Sequence, residues 1–276
     1  MAEEAKTLAY SVDKYKCAKV EPAALPESPE AFGALLKATV EKFGAEGVRG
    51  FWLRIPGALS QLIPVAMKAP FALQLHHTDG QELTLSKWLA PGPCKFPVYC
   101  THLLGAGGLV FNTKTDKLLL MQEHWMENPA WKVSGGQVDA GEWIEHAAVR
   151  EVREETGVVC EAVGVLAHRE LLRFRWNRAD IYYVVLCLTE QEEISIDETE
   201  ASKAQWFTVE EVLHPDFKKS LTFNQVALTL AAAAQKHPGA KLWQVLRDHY
   251  VERGVHLTAK NAQAGTSAGV YRHPKI

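Results

Sequence analysis

Apolar positions in the first hundred residues recur first at helical spacing and then in short strand-like runs. In "EPAALPESPEAFGALLKATVEKFG", Phe32, Leu35, Leu36, Val40 and Phe43 fall three and four apart and make one stripe. Ser28 caps the predicted helix, Pro29 stands in its first turn, and Gly44 ends it. "GFWLRIP" then reads as a strand, "ALSQLIPVAMKA" as a helix, and "FALQLHH" and "ELTLSKWL" as strands around the turn "TDG". These elements predict a small α/β domain over residues 18–95. Pro91, Pro93 and Pro97 in "APGPCKFPVYC" mark a linker after it.

From residue 98 to 250 the pattern predicts a second domain with closely spaced strands. "HLLGAGGLVFN" and "KLLLMQEH" are separated by the turn residues "TKTDK", and a helix over 143–156 follows. "EAVGVLAHRELLRFRW" and "ADIYYVVLCL" are β-prone, and "AQWFTVEEVLH" supplies a last strand and a short helix with Thr208 and Glu211 as its capping box. "LTFNQVALTLAAAAQKH" and "AKLWQVLRDHYVERG" are amphipathic helices. The expectation is an antiparallel or mixed sheet with helices on its faces. The tail at 251–276 ends in "AKNAQAGTSAGVYRHPKI", which is small and polar and is predicted to fray.

Composition narrows the function. Of 276 residues, 47% are hydrophobic and 23% charged, which suits a globular chain of one large or two modest domains. A net charge of -3 gives no general attraction to a phosphate backbone, so nucleic acid is not an expected partner and a small substrate fits better. Five cysteines form no CxxC pair, which argues against a disulfide framework or a cysteine zinc site and for a reducing compartment. The acidic start "MAEEAKTLAYSVDKYKC" is unlike a basic leader, and no run approaches eighteen apolar residues, so the expected location is cytoplasmic with no membrane span.

One segment concentrates the chemistry. "AAVREVREETG" is helical with Ala148, Val149 and Val152 on its apolar side, and Gly157 stops it. Glu151, Glu154 and Glu155 lie three and four apart, so their carboxylates crowd onto adjoining turns with Ala147 leaving room a turn upstream. Like charges at that spacing cost roughly 0.2–0.5 kcal/mol per pair. A divalent cation removes that cost, and hard oxygen donors without cysteine or histidine point to Mg2+ or Mn2+. The alternative is a solvated acidic face balanced by Arg150 and Arg153. Just upstream, Gly135, Gly136 and Gly141 can bring backbone groups close to a phosphate or a metal because no β-carbon intervenes.

The run from Gly136 to Val158 resembles the Nudix box: Gly136, Glu142, Arg150, Glu151, Val152, Glu154, Glu155, Gly157 and Val158 all stand on its required positions. The resemblance implies a Nudix α/β/α sandwich with a mixed sheet, preceded by the smaller α/β domain. It implies a metal-dependent pyrophosphohydrolase, with metal held by Glu151, Glu154, Glu155 and the Gly135 carbonyl, and with Glu142 and Arg150 bracing loop against helix. A further acidic residue outside the box is expected from "SIDETEASKAQWF"; Glu200, six residues before Trp206, is preferred over Glu198 as distal ligand or catalytic group. Catalytic roles thus fall to Glu151, Glu154, Glu200, Arg150 and Glu142.

The wider chain, including "WLAPGPCKFPVYCTHLLGAGGLVFN" and "RADIYYVVLCL", is similar to a group containing plant ADP-ribose and NADH pyrophosphatases and an animal homologue encoded antisense to a fibroblast growth factor gene. That similarity implies ADP-ribose or NADH as substrate. The small domain, with apolar helices and strands but no catalytic cluster, is expected to support a homodimer or to wall one side of the cleft. FAD, CoA, a dinucleoside polyphosphate and an inositol pyrophosphate are the rival substrates, and a non-catalytic nucleotide sensor is the rival class. The chain departs from the group at Ser134, where relatives carry proline, and at Arg178-Ala179-Asp180, where they often carry "KSD". Gly136 and Arg169 are candidate substrate contacts. Trp125 and Trp131 offer either a stacking face for adenine or core packing.

Overall fold

The computed structural model of the chain describes residues 6–124, 127, 129–251, 253–257 and 268–272, and contacts divide it into two compact units, Met1–Cys100 and Thr101–Ile276. In the first unit the antiparallel strands β1 (Tyr10–Val12) and β2 (Cys17–Val20) precede helix α1 (Pro29–Glu46). The unit therefore takes in residues upstream of the expected start at 18. The Ser28 side chain accepts the Ala31 N–H, and α1 runs through Gly44 to a left-handed Gly47 at φ 68°. Gly44 does not end the helix; the left-handed stop is Gly47, whose N–H bonds the Gly44 carbonyl at 3.4 Å.

Strand β3 (Gly50–Pro56) lies parallel to β2 and antiparallel to β5 (Glu82–Trp88), which pairs in turn with β4 (Gln74–Asp79). Among the described residues the sheet order is β1-β2-β3-β5-β4. The helix expected at 58–69 is a 3-10 segment, Gly57–Leu62, leading into the short α2 (Ile63–Met67), with Pro64 fitting the first turn of the latter. Phe32, Phe43, Phe51, Leu53, Ile55 and Leu85 close this unit's own core.

The second unit is three-layered. Strand β6 (His102–Asn112) is its axis: it pairs antiparallel with β7 (Leu118–Glu123) and β8 (Ser134–Gln137), and parallel with β10 (Ala179–Thr189) over eleven residues. β8 was unforeseen, since "SGGQ" reads as a glycine loop, yet Gly135 and Gly136 pair with Gly107 and Ala106. β9 (Glu161–Leu171) and β11 (Ala201–Phe207) complete a mixed sheet of order β11-β7-β6-β10-β9 with β8 off the path.

Alternation along β6 assigns the layers. Ala106 and Val110 face α3 (Ile144–Thr156), whereas Leu109 and Phe111 face α4 (Val209–Leu213), α5 (Leu221–Lys236) and α6 (Leu242–His249). The result is an α/β/α sandwich. Thr208 and Glu211 form the expected capping box of α4. The tail departs from expectation: β12 (Arg253–Leu257) and β13 (Ala268–Arg272) pair antiparallel, because backbone N–H and C=O groups gain partners there that small side chains cannot offer. Among the described residues no helix is long and apolar enough to cross a membrane.

Candidate active site

Helix α3 carries few apolar residues and is held by one face. Ala147, Ala148 and Val152 are buried in the core it shares with β6 and β10, so Ala147 sits inside the packing instead of standing clear above the glutamates. Gly157, at φ 68°, turns the chain out of the helix while its N–H bonds the Arg153 carbonyl.

The charged edge of α3 is organised by one guanidinium. Arg150 Nε and Nη2 donate to the two carboxylate oxygens of Glu142 at 2.9 Å each, a bidentate pair. Its Nη1 donates to Glu151 at 2.8 Å and to Glu154 at 2.9 Å, and Nη2 reaches the Gln137 carbonyl at 3.0 Å. Glu142 also accepts the Asp139 N–H at 3.0 Å. The Arg150 hydrogen bond holds the Glu142 carboxyl below the usual range. Loop 137–142 and helix α3 are thus tied at a single point.

Glu155 is turned inward. It is 6% exposed, and its Oε2 accepts the Gly135 N–H at 2.8 Å. Burial pushes its acid up to about 7; Lys132 and the Gly135 N–H oppose the rise, while Glu151 and Glu200 add to it. Burial raises Glu151 as well, against Arg150 and with help from Glu154 and Glu200. Glu200 therefore lies within electrostatic reach of both. It arrives there because the segment before β11 is pinned to the end of α3, with Ser195 N–H on the Thr156 carbonyl and Asp197 N–H on the Glu155 carbonyl. Asp197 accepts the Thr199 N–H and hydroxyl, closing its own turn.

The two glycines of β8 are needed for this approach. A β-carbon at Gly136 would lie 2.6 Å from Glu151 Oε1, and one at Gly135 would lie 2.2 Å from the Tyr182 hydroxyl oxygen and 2.4 Å from the Ala106 carbonyl oxygen. The Gly135 amide meets a box glutamate directly, and its carbonyl stays free of that bond. Among the described residues no three His, Cys, Asp or Glu side chains are arranged so as to hold a metal ion. Arg150 and the Gly135 amide engage Glu142, Glu151, Glu154 and Glu155 instead.

The donor set nonetheless suits a hard divalent cation. The acidic side chains here offer only hard carboxylate oxygens, and one guanidinium faces three of them while Glu155 and Glu200 add two more. Lys132, the other cation of the cluster, is paired with Glu123 at 2.7 Å.

Gly135 and Gly136 also line a cleft of about 290 Å³. Arg169, Asp180 and Tyr182 line it too, as do Phe174, Arg175 and Trp176 of the β9–β10 hairpin. Arg169 Nε donates to Thr222 Oγ1 at 2.6 Å, its Nη2 lies 3.2 Å from Asp180, and its guanidinium stands over the Tyr182 ring at 5.2 Å. Its Nη1 is buried with no hydrogen-bond partner. A buried donor left open in a cleft is a place for an acceptor to bind.

Trp131, which offered either a stacking face or core packing, takes the packing alternative. Its ring meets Phe207 edge-on at 4.7 Å and stacks on Phe217 at 6.3 Å, while its N–H bonds the Lys218 carbonyl, so it packs on the core and does not line the cleft. Trp125 lies outside the described residues. Lys132, Asp180, Tyr182, Phe174 and Trp176 were not foreseen. "RFRWN" carried a signal, since a hairpin tip without glycine but with two aromatic residues is unusual turn chemistry.

Comparison with known proteins agrees with this geometry. The NUDIX domain model matches residues 101–225, and a Nudix hydrolase domain model matches residues 8–89. Nudix hydrolase 2 of Arabidopsis thaliana is 31% identical over 218 residues, covering 78% of this chain and 77% of the relative. This chain belongs to the Nudix hydrolase family. Nudix hydrolase 8 of the same plant is 30% identical, covering 78% of this chain, which spans 58% of that longer relative. Nucleoside diphosphate-linked moiety X motif 6 of Mus musculus is 33% identical, covering 72% of this chain and 64% of the relative. Nudix hydrolases are pyrophosphohydrolases that bind nucleoside diphosphate derivatives and use divalent cations, and the α/β/α unit is their fold.

Proposed function

We propose that this chain hydrolyses the diphosphate that joins adenosine to a ribose-containing group, with ADP-ribose the first substrate and NADH the second, using Mg2+ or Mn2+. The observation that carries the reading is the double glycine of β8, which holds Glu151 and Glu155 on α3 and also borders the cleft where Arg169 Nη1 has no partner. An acid cluster and an open guanidinium donor on either side of one turn suit a substrate with a bridging diphosphate.

In this reading Glu151, Glu154, Glu155, Glu200 and the Gly135 backbone would hold the cation. When bound, it supplies charge neutralisation for the phosphate oxygens and acidifies a water for attack on phosphorus. Arg150 and Glu142 keep loop and helix in register, Arg169 binds phosphate oxygens, and Glu154, the most exposed of the three box glutamates, takes the proton from the attacking water. A homodimer and a cytoplasmic location belong to the same reading, and light scattering and cell fractionation check them.

The test is a hydrolysis screen over ADP-ribose, NADH, NAD, FAD, CoA and diadenosine polyphosphates with Mg2+ and Mn2+, products resolved by chromatography. AMP with ribose 5-phosphate, or AMP with reduced nicotinamide mononucleotide, is expected. Efficient turnover of FAD, CoA or a dinucleoside polyphosphate with neither ADP-ribose nor NADH cleaved would overturn the substrate while leaving the metal chemistry.

A further inference from the structure

The tip of the β9–β10 hairpin is built against local preference. Trp176 and Asn177 both take positive φ, 54° and 57°, between Arg175 and Arg178, whose N–H bonds the Arg175 carbonyl at 3.0 Å. Those are the signs of a type I′ turn, which favours asparagine or glycine at its first central position and disfavours a bulky side chain there. The indole gains no burial in exchange: Trp176 is 78% exposed. Nor is it alone, since Phe174 is 43% exposed and Arg175 stands over the Phe174 ring at 5.5 Å. All three border the same cleft as Arg169 and Gly136.

A strained, exposed tryptophan that contributes no core packing and lines a cleft is best explained by what enters the cleft. We infer that Trp176, with Phe174 beside it, is the stacking wall for the planar base of the substrate, while Arg169 takes the phosphates. This deepens the proposed reaction and rests on it. Both groups of a nucleoside diphosphate then find a partner of their own chemistry: a π-face for the base and a guanidinium donor for the anion. Trp131 has no part in it, because its ring is taken up by Phe207 and Phe217.

The experiment is calorimetric titration of the full chain with AMP and, separately, inorganic pyrophosphate, alongside thermal melts. Trp176→Ala should weaken AMP roughly tenfold and leave pyrophosphate unchanged, and Trp176→Phe should restore most of the loss. Trp176→Asn should weaken AMP as much as alanine does yet raise the melting temperature, because asparagine suits the left-handed turn. A tryptophan with a merely structural role would lower both together. Unchanged AMP affinity in Trp176→Ala, equal loss of AMP and pyrophosphate, or no AMP binding by the wild type would overturn the assignment. AMP binding that depends on Trp176 in a chain that cleaves no adenosine diphosphate derivative would keep the base site and discard the reaction.

Discussion

Two arginines of the second unit meet carboxylates in opposite ways. Arg150 has its donors spent on Glu142, Glu151, Glu154 and the Gln137 carbonyl. Arg169 is held by Thr222 and Asp180, borders a cleft, and leaves its buried Nη1 without a hydrogen-bond partner. A saturated guanidinium fixes the geometry of its neighbours, whereas an unsaturated buried one carries an unmet desolvation cost that an incoming acceptor relieves. The difference separates bracing from binding without reference to the family.

Removing the brace should have the largest effect. Arg150→Ala leaves Glu142, Glu151 and Glu154 without their shared cation, so unfolding free energy should fall by about 2–4 kcal/mol. Hydrolysis should fall with it, and urea titration with an unchanged slope would report the stability term. Full stability in that variant would mean the glutamates never relied on the guanidinium.

Arg169→Lys sharpens the other side. An ammonium keeps the Asp180 charge pair but loses the fork, so KM should rise about tenfold with kcat little altered. A fall in kcat at constant KM would move Arg169 from ground-state binding to the transition state. The smallest effect belongs to Glu155→Gln. The amide oxygen still accepts the Gly135 N–H, so stability in chelator should change by less than about 1 kcal/mol. The rise in melting temperature on adding Mn2+ should shrink, because a carboxylate ligand has been lost. An undiminished rise would remove Glu155 from the metal set.

The legibility of the chain follows the range of its interactions. Glu142, Arg150, Glu151 and Glu154 could be read because a loop and a helix bring them together within a short stretch of sequence. Arg169 with Asp180 and Thr222 joins two strands and a helix, and nothing local announces that Thr222 lies under Arg169 from 53 residues away. Trp131 was ambiguous because the bridge from Trp131 to Lys219 depends on where α5 begins its approach. Helix α1 overran Gly44 because two glycines stand near its end and only Gly47 takes the left-handed conformation that stops a helix, a choice the sequence pattern does not reveal. The inward turn of Glu155 required knowing that β8 is a strand whose Gly135 amide faces the helix.

Two glycines that look alike in the sequence should have different fates in a mutational scan. At Gly108 a methyl group would strike Val152 Cγ2 at 2.5 Å, in the packed layer between β6 and α3, so alanine there should reduce the yield of folded protein. At Gly136 the obstacle is the end of a glutamate side chain, which can swing aside. Alanine at 136 should therefore give normal abundance with activity gone. A selection scored on abundance would classify Gly136 as free to vary, and one scored on turnover would classify it as fixed, so the gap between the two scores would set β8 apart from the packed core from sequence counts alone.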